Sequence, residues 1–210
     1  MSTDLSDIET ATLGHFLEQG FMAPAIQGVI EGARVFGPAL TVRLPGSDGT
    51  ALVHALSTVQ PGEVIIVDRC GDERHACWGA VLSAAARSRG VAGVIIDGYM
   101  TDRSAILDAG FPVWCRGRSP VTTKIRGNGG EIGATITCGG VRVDPGDIVL
   151  ADESGVVVLD PATVGDHAAR ARAMQDAEPA TIARLEAGET LAAITRPPAL
   201  ARGPATTGTP

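Results

Sequence analysis

The sequence predicts an α/β fold built from a parallel β-α-β-α-β unit, a second and mixed β layer, and a C-terminal helix. Three observations carry this. EVIIVD (63–68) and VAGVIID (91–97) are continuous apolar runs of the kind buried on both faces of a parallel sheet, and each precedes a helix-type segment. From residue 119 the texture changes to short β pieces broken by glycine, GNGGEIGATITCGGVRVDPGDIVLADESGVVVLDP. ATVGDHAARARAMQDA follows Pro161 and reads as a helix.

Taken in order, DIETATLGHFLEQG (6–19) has helical spacing at Ile8, Leu13, Phe16 and Leu17, with Gly20 as its stop. ARVFGPALTVRL (33–44) is β-like, with a kink or bulge at Gly37-Pro38. DGTALVHALS (48–57) is a short amphipathic helix, and Pro61-Gly62 turns the chain into EVIIVD. Residues 76–89, ACWGAVLSAAARSR, are expected as one Ala-rich helix ending at Gly90. A short helix at 102–109, closed by Gly110, leads into FPVWC as a third strand. Short crossovers imply parallel neighbours with right-handed connections. The loops Arg69 to His75 and Gly98 to Thr101 then lie side by side at the carboxyl edge of the sheet, where open α/β folds hold ligands, and this brings Asp72 and Asp102 near each other.

Further on, Pro145-Gly146-Asp147 and Glu153-Ser154-Gly155 are turns between strands. The last helix runs through about residue 187, with a break expected at Pro179. The domain reading is one domain over 1–190, with its core over about 10–165 and the C-terminal helical segment over about 161–187. The Pro-, Gly- and Thr-rich segment 191–210 is expected as a disordered tail.

The formal charge of −7 and the lack of a Lys/Arg run remove the electrostatic footprint of a nucleic-acid binder. No stretch approaches the roughly 18 apolar residues of a membrane span, and the N-terminus lacks an apolar segment behind a basic end. A soluble, cytoplasmic protein is expected. The four cysteines, Cys70, Cys77, Cys115 and Cys138, have neither CxxC spacing nor disulfide-scaffold density, so reduced thiols in structural roles are expected.

Candidate chemistry gathers at the sheet edge. Asp102 stands where a helix begins and reads either as a carboxylate serving that helix's free N–H groups or as a ligand. Asp97 closes its strand as a turn-former or a ligand. In GDERHACWG (71–79), Asp72 either caps the following helix or borders an anion site made by its first-turn amides. His75 beside Asp72 suggests a pair, too small for zinc. GNGG (127–130) has no GK[ST] ending and is treated as a turn. Arg116 and Arg118, just past the third strand, are cationic groups at the same edge.

Taken together, FGPALTV, PGEVIIVD, the GD…A.WG segment at 71–79, GVAGVIIDG…TD at 90–102, FPVWCRG and GGVRVDPGDIVLADESGVVVL resemble the RraA-like family over roughly residues 10–165. That family includes the class II 4-hydroxy-4-methyl-2-oxoglutarate/4-carboxy-4-hydroxy-2-oxoadipate aldolases. The resemblance implies an α/β/β swivelling-type core and a homotrimer or dimer of trimers with sites between subunits. It also implies Asp102 as the ligand of Mg²⁺ or Mn²⁺, and a small anionic 2-oxo acid as substrate. A substrate-binding stretch falls on Gly79, Ala80, Val81 and Leu82. Two positions depart from the family pattern, because Thr101 stands where a substrate-binding Arg is usual and Ala80 where an acid is usual. Arg103, Arg74 and Arg116 are candidate replacement cations, and His75 is a candidate base.

Because these departures remove a base and a cation, decarboxylation of a 2-oxo acid, which needs only an electron sink, is expected ahead of retro-aldol cleavage. RraA itself resembles the chain and regulates an endoribonuclease by contact, so a non-catalytic regulator is the alternative. Relatives labelled as menaquinone methyltransferases carry less weight, since no glycine-rich nucleotide loop follows the first strand.

Overall fold

The computed structural model describes residues 4–199. Its elements are α1 Thr10–Gly14, β1 Gln27–Gly28, β2 Val35–Arg43, α2 Thr50–Thr58, β3 Val64–Asp68, β4 Ala76–Trp78, α3 Ala80–Ser88, β5 Gly93–Met100, α4 Arg103–Ala109, β6 Val113–Arg118, β7 Glu131–Ile132, β8 Ile136–Cys138, β9 Val141–Val143, β10 Ile148–Ala151, β11 Val156–Leu159, α5 Val164–Glu186 and α6 Leu191–Thr195. The described residues divide into two compact units, 4–172 and 173–199.

In the first unit one mixed sheet has the strand order β1-β6-β5-β3-β2-β10-β11, and β8 and β9 form a separate hairpin. The centre is the predicted parallel unit: β3 pairs with β5 from Val64↔Gly93 to Asp68↔Asp97, and β5 pairs with β6. The continuous apolar runs are explained by burial on both faces. Ile65 and Val67 join Leu52, Trp78 and Ile106 under the helices, while the alternate residues Val64 and Ile66 join Trp114, Ile136 and Val149 on the other face. A third cluster packs Leu13 and Ala168 against Leu150 and Val157 of the β10–β11 hairpin. The result is the helix, sheet and second β layer of the expected α/β/β core, with α5 following the hairpin.

At Gly37-Pro38 no register shift occurs. Instead β2 changes partners there: Val35 to Pro38 pair with antiparallel β10, and Ala39 to Arg43 pair with parallel β3. A side chain at Gly37 would strike the Gly62 carbonyl oxygen, its Cβ lying 2.1 Å away, so this crossing demands glycine.

Several expected elements differ. The first helix is confined to Thr10–Gly14 instead of 6–19. Ala76–Trp78 is a strand, so the Ala-rich helix starts only at Ala80. β4 pairs with β5 at Tyr99 and Met100, extending past the end of β3, and this carries β5 through Gly98 to Met100 where a loop was expected.

In the second unit, the helix passes Pro179 without ending. Residues 191–195 are helical within the segment read as a disordered tail, and 200–210 lie outside the described residues. Among the described residues no helix is long and apolar enough to cross a membrane.

Candidate functional site

The end of β5 and the start of α3 meet at a cleft of about 340 Å³ lined by, among others, Trp78, Gly79, Leu82, Thr101, Asp102 and Thr123. Trp78 fixes the wall. Its ring is fully buried and stacks on Phe111 with centroids 6.0 Å apart, and its indole N–H donates to Ser83 Oγ at 2.9 Å. The strand before α3 is thereby tied to the helix's first turn. Thr101 N–H donates to the Trp78 carbonyl at 2.8 Å, which closes the β5 side.

Asp102 is exposed, and its backbone is left-handed at φ 55° and ψ 38°. Such a conformation costs a non-glycine residue on the order of 1 kcal/mol or more and is held only where the surroundings dictate it. Its side chain does not cap its own helix, α4, as the simplest reading of its position suggests. Instead Oδ2 accepts the N–H of Ala80, the first residue of α3, at 3.0 Å. Gly79 makes this approach possible, because a Cβ there would lie 2.6 Å from Asp102 Oδ2 and 2.9 Å from Thr101 Cγ2. Since Ser83 N–H is the first to bond within α3, at the Gly79 carbonyl, the Val81 and Leu82 amides have no intrahelical acceptor. Of the expected first-turn stretch, Ala80 has its amide already committed, and Val81 and Leu82 are the ones that offer N–H groups to an anion.

The neighbouring loop forms a separate cluster. Asp72 caps that loop, not α3: its Oδ1 accepts the N–H groups of Arg74 and His75 at 2.9 and 2.7 Å, and its Oδ2 meets His75 Nδ1 at 2.8 Å. Arg69, completely buried, stands 3.5 Å from the same oxygen and donates to the carbonyls of Leu44 and Gly46. Burial opposes the charge of Asp72, yet the His75 and Arg74 amides, the imidazole and Arg69 together hold its carboxyl down to about 2. An ionised carboxylate only accepts, so His75 Nδ1 carries the hydrogen. Gly98 is a strand residue in this setting; a Cβ there would meet Arg69 Cγ at 2.5 Å, so the glycine makes room for the arginine.

The expected adjacency of the two loops therefore exists at Arg69 and Gly98. The joint site does not: His75, Arg74 and Asp72 are absent from the lining of the Asp102 cleft. Arg103 and Arg116 line a different cleft, and Arg116 Nε donates to Asp97 Oδ1. Asp97 is no turn residue. It is the fifth residue of β5, and its Oδ2 accepts the Gly139 amide at 2.8 Å.

Sequence reasoning missed Arg69, whose position between a buried strand and a Cys-Gly-Asp turn was the available signal, and Thr122 and Thr123, which reach the cleft from a distant loop. It also missed Asp48. That buried residue pins the GNGG turn by accepting the amides of Arg126 and Asn128, and these bonds with Thr50 hold its carboxyl well below the usual range. Cys77, Cys115 and Cys138 are buried, and burial pushes the Cys77 thiol up to about 12, which removes it as a nucleophile in the cleft.

A metal bound here has one protein carboxylate available. Among the described residues no three His, Cys, Asp or Glu gather in a ligand cluster. Asp102 Oδ2 is shared with the Ala80 amide, and Oδ1 lies 3.4 Å from the Thr101 hydroxyl. Such a donor set fits a hard cation that keeps most of its water, as Mg²⁺ and Mn²⁺ do, and does not fit a protein-caged ion.

The RraA-like family, described as Aldolase/RraA, matches residues 2–158. The chain belongs to this family. A Halalkalibacterium halodurans protein, provisionally named a 4-hydroxy-4-methyl-2-oxoglutarate aldolase, is 36% identical over 66% of this RraA-like chain and 65% of its own length. The chain thus spans just under two thirds of that relative. Among solved structures, a protein from Pseudomonas syringae pv. tomato matches with TM-score 0.77 and 26% identity over 89% of this chain and 92% of its own. RraAS2 of Streptomyces coelicolor, described as an unusual member of the RNase ES inhibitor RraA family, matches with TM-score 0.72 and 26% identity over 86% and 93% of the two chains.

Proposed function

We propose that this RraA-like protein is a divalent-metal-dependent carbon–carbon lyase acting on a small 2-oxo acid, with Asp102 as the protein ligand of Mg²⁺ or Mn²⁺. The observation that carries the reading is the exposed Asp102 carboxylate, held on a left-handed backbone against the start of α3, lining one cleft with Val81 and Leu82 of the open first turn. Such an ion, held by Asp102, would supply Lewis-acid polarisation of the substrate carbonyl. The Val81 and Leu82 amides, with the positive end of the α3 dipole, bind the substrate carboxylate. The Thr101 side chain borders the same space and orients the acid. Trp78 and Leu82 exclude water from its apolar side.

Apart from Asp102 the lining offers no ionised base and no cation. Retro-aldol cleavage needs a base for the hydroxyl proton, worth about 10²–10⁴-fold, whereas loss of CO₂ from a β-keto acid does not. The name of the Halalkalibacterium relative supports aldolase chemistry for the family scaffold; Ala80 and Thr101 favour decarboxylation within it. The family resemblance points to a homotrimer or dimer of trimers, in which a neighbouring copy would add groups to the cleft.

The test is oxaloacetate decarboxylation by wild type and Asp102→Ala, each with Mg²⁺ and with chelator. Wild type with metal should exceed the other three conditions by at least about 100-fold, the scale of a lost transition-state contact. Equal rates in all four sink the proposal. The likeness to RraAS2 supports a second reading, a regulator that binds an endoribonuclease, for which pull-down of such an enzyme together with no metal-dependent turnover is the expected result.

A further inference from the structure

A second cleft, of about 230 Å³, is bounded by Gln27 and Val29 at and after β1, Met100 and Arg103 at the β5–α4 junction, and Arg116 and Arg118 on β6. It shares no lining residue with the Asp102 cleft. The opening follows from strand lengths: β1 covers β6 only at Trp114 and Cys115, so β6 continues past its edge partner from Arg116 onward. Three arginines line the cleft and no carboxylate does, in a chain whose net charge is −7.

The arginines differ in how they are held. Arg116 is anchored through Nε by Asp97, itself fixed by the Gly139 amide, and its terminal amino groups have no acceptor among the described residues. Arg103 and Arg118 are exposed and enter no ion pair among those residues. One guanidinium is thus preset and two stand beside it. Planar guanidinium forks match carboxylate and phosphate oxygens in pairs. The volume is below the roughly 300–1,000 Å³ of pockets for drug-sized ligands, which selects a small ligand.

The geometry points to a binding site for a small dianion, a dicarboxylate or a phosphate, held by Arg103, Arg116 and Arg118 and separate from the Asp102 cleft. It requires neither metal nor turnover, so it stands or falls apart from the lyase reading.

Calorimetric titration of the full chain with succinate and with inorganic phosphate, chelator present, tests it. One anion per chain should bind, and the stronger of the two titrations identifies the class. Arg103→Ala/Arg118→Ala should weaken binding at least about tenfold. Arg87→Ala/Arg126→Ala, which removes the same charge elsewhere, should leave it unchanged, as should Asp102→Ala. An Arg103→Gln/Arg118→Gln variant with a wild-type melting midpoint guards against misfolding and should weaken binding equally. Absence of binding by wild type to both anions, equal weakening in the charge-matched control, or loss in Asp102→Ala would overturn the assignment.

Discussion

Asp102 shows how little a residue's sequence position says about its partner. Its place ahead of α4 suggested a cap for that helix, yet the carboxylate reaches back 22 positions to the Ala80 amide. Only the strand pairing of β4 with β5, a long-range event, brings the two together. Gly79 is the other half of the contact, and its role is testable. Gly79→Ala would place a methyl 2.6 Å from Asp102 Oδ2, so either the carboxylate or the β5 terminus must shift. We expect a stability loss of about 1–3 kcal/mol, the usual cost of overpacking, with loss of metal-dependent oxaloacetate turnover. Urea unfolding and the decarboxylation assay read the two effects separately.

At the scale of elements, the strands of the parallel unit were legible because burial on both faces writes a continuous apolar run. β4 was not. Ala76, Cys77 and Trp78 adjoin an Ala-rich helix and lack β-branched residues, and their strand character comes from pairing with Tyr99 and Met100. A proline removes a donor and so predicts a break at Pro179, yet the helix tolerates the missing bond and continues to Glu186. The candidate site was legible as an edge and illegible as a set: Asp102, Gly79, Val81, Leu82 and Thr101 converge, while His75 and Arg74 belong to the Arg69–Asp72 loop, since nothing local says which way that loop folds. The loop has its own pH signature. Asp72 is ordinarily a carboxyl near 3.8 and is held at about 2 in the fold. A depressed carboxyl stabilises the fold above its unfolded value and ceases to do so as pH falls through the folded one. Between about pH 4 and 2 the wild type should therefore lose on the order of 2 kcal/mol that Asp72→Asn lacks throughout, measured by denaturant unfolding across that range.

At the scale of the molecule, three apolar clusters stack the helices, the central sheet and the outer hairpins into layers. The partner exchange in β2 at Gly37-Pro38 makes one nine-residue strand a member of both the parallel sheet and the β10–β11 hairpin layer. The two ladders meet end to end within that strand, so melting either layer strips half of β2 of its partner. A scanning calorimeter should accordingly record a single cooperative endotherm for residues 4–172, with calorimetric and van't Hoff enthalpies equal; two resolved peaks would mean that the layers melt independently. A protein spliced through this one strand has no spare seam, so fragments cut on either side of the crossing should regain order only when mixed.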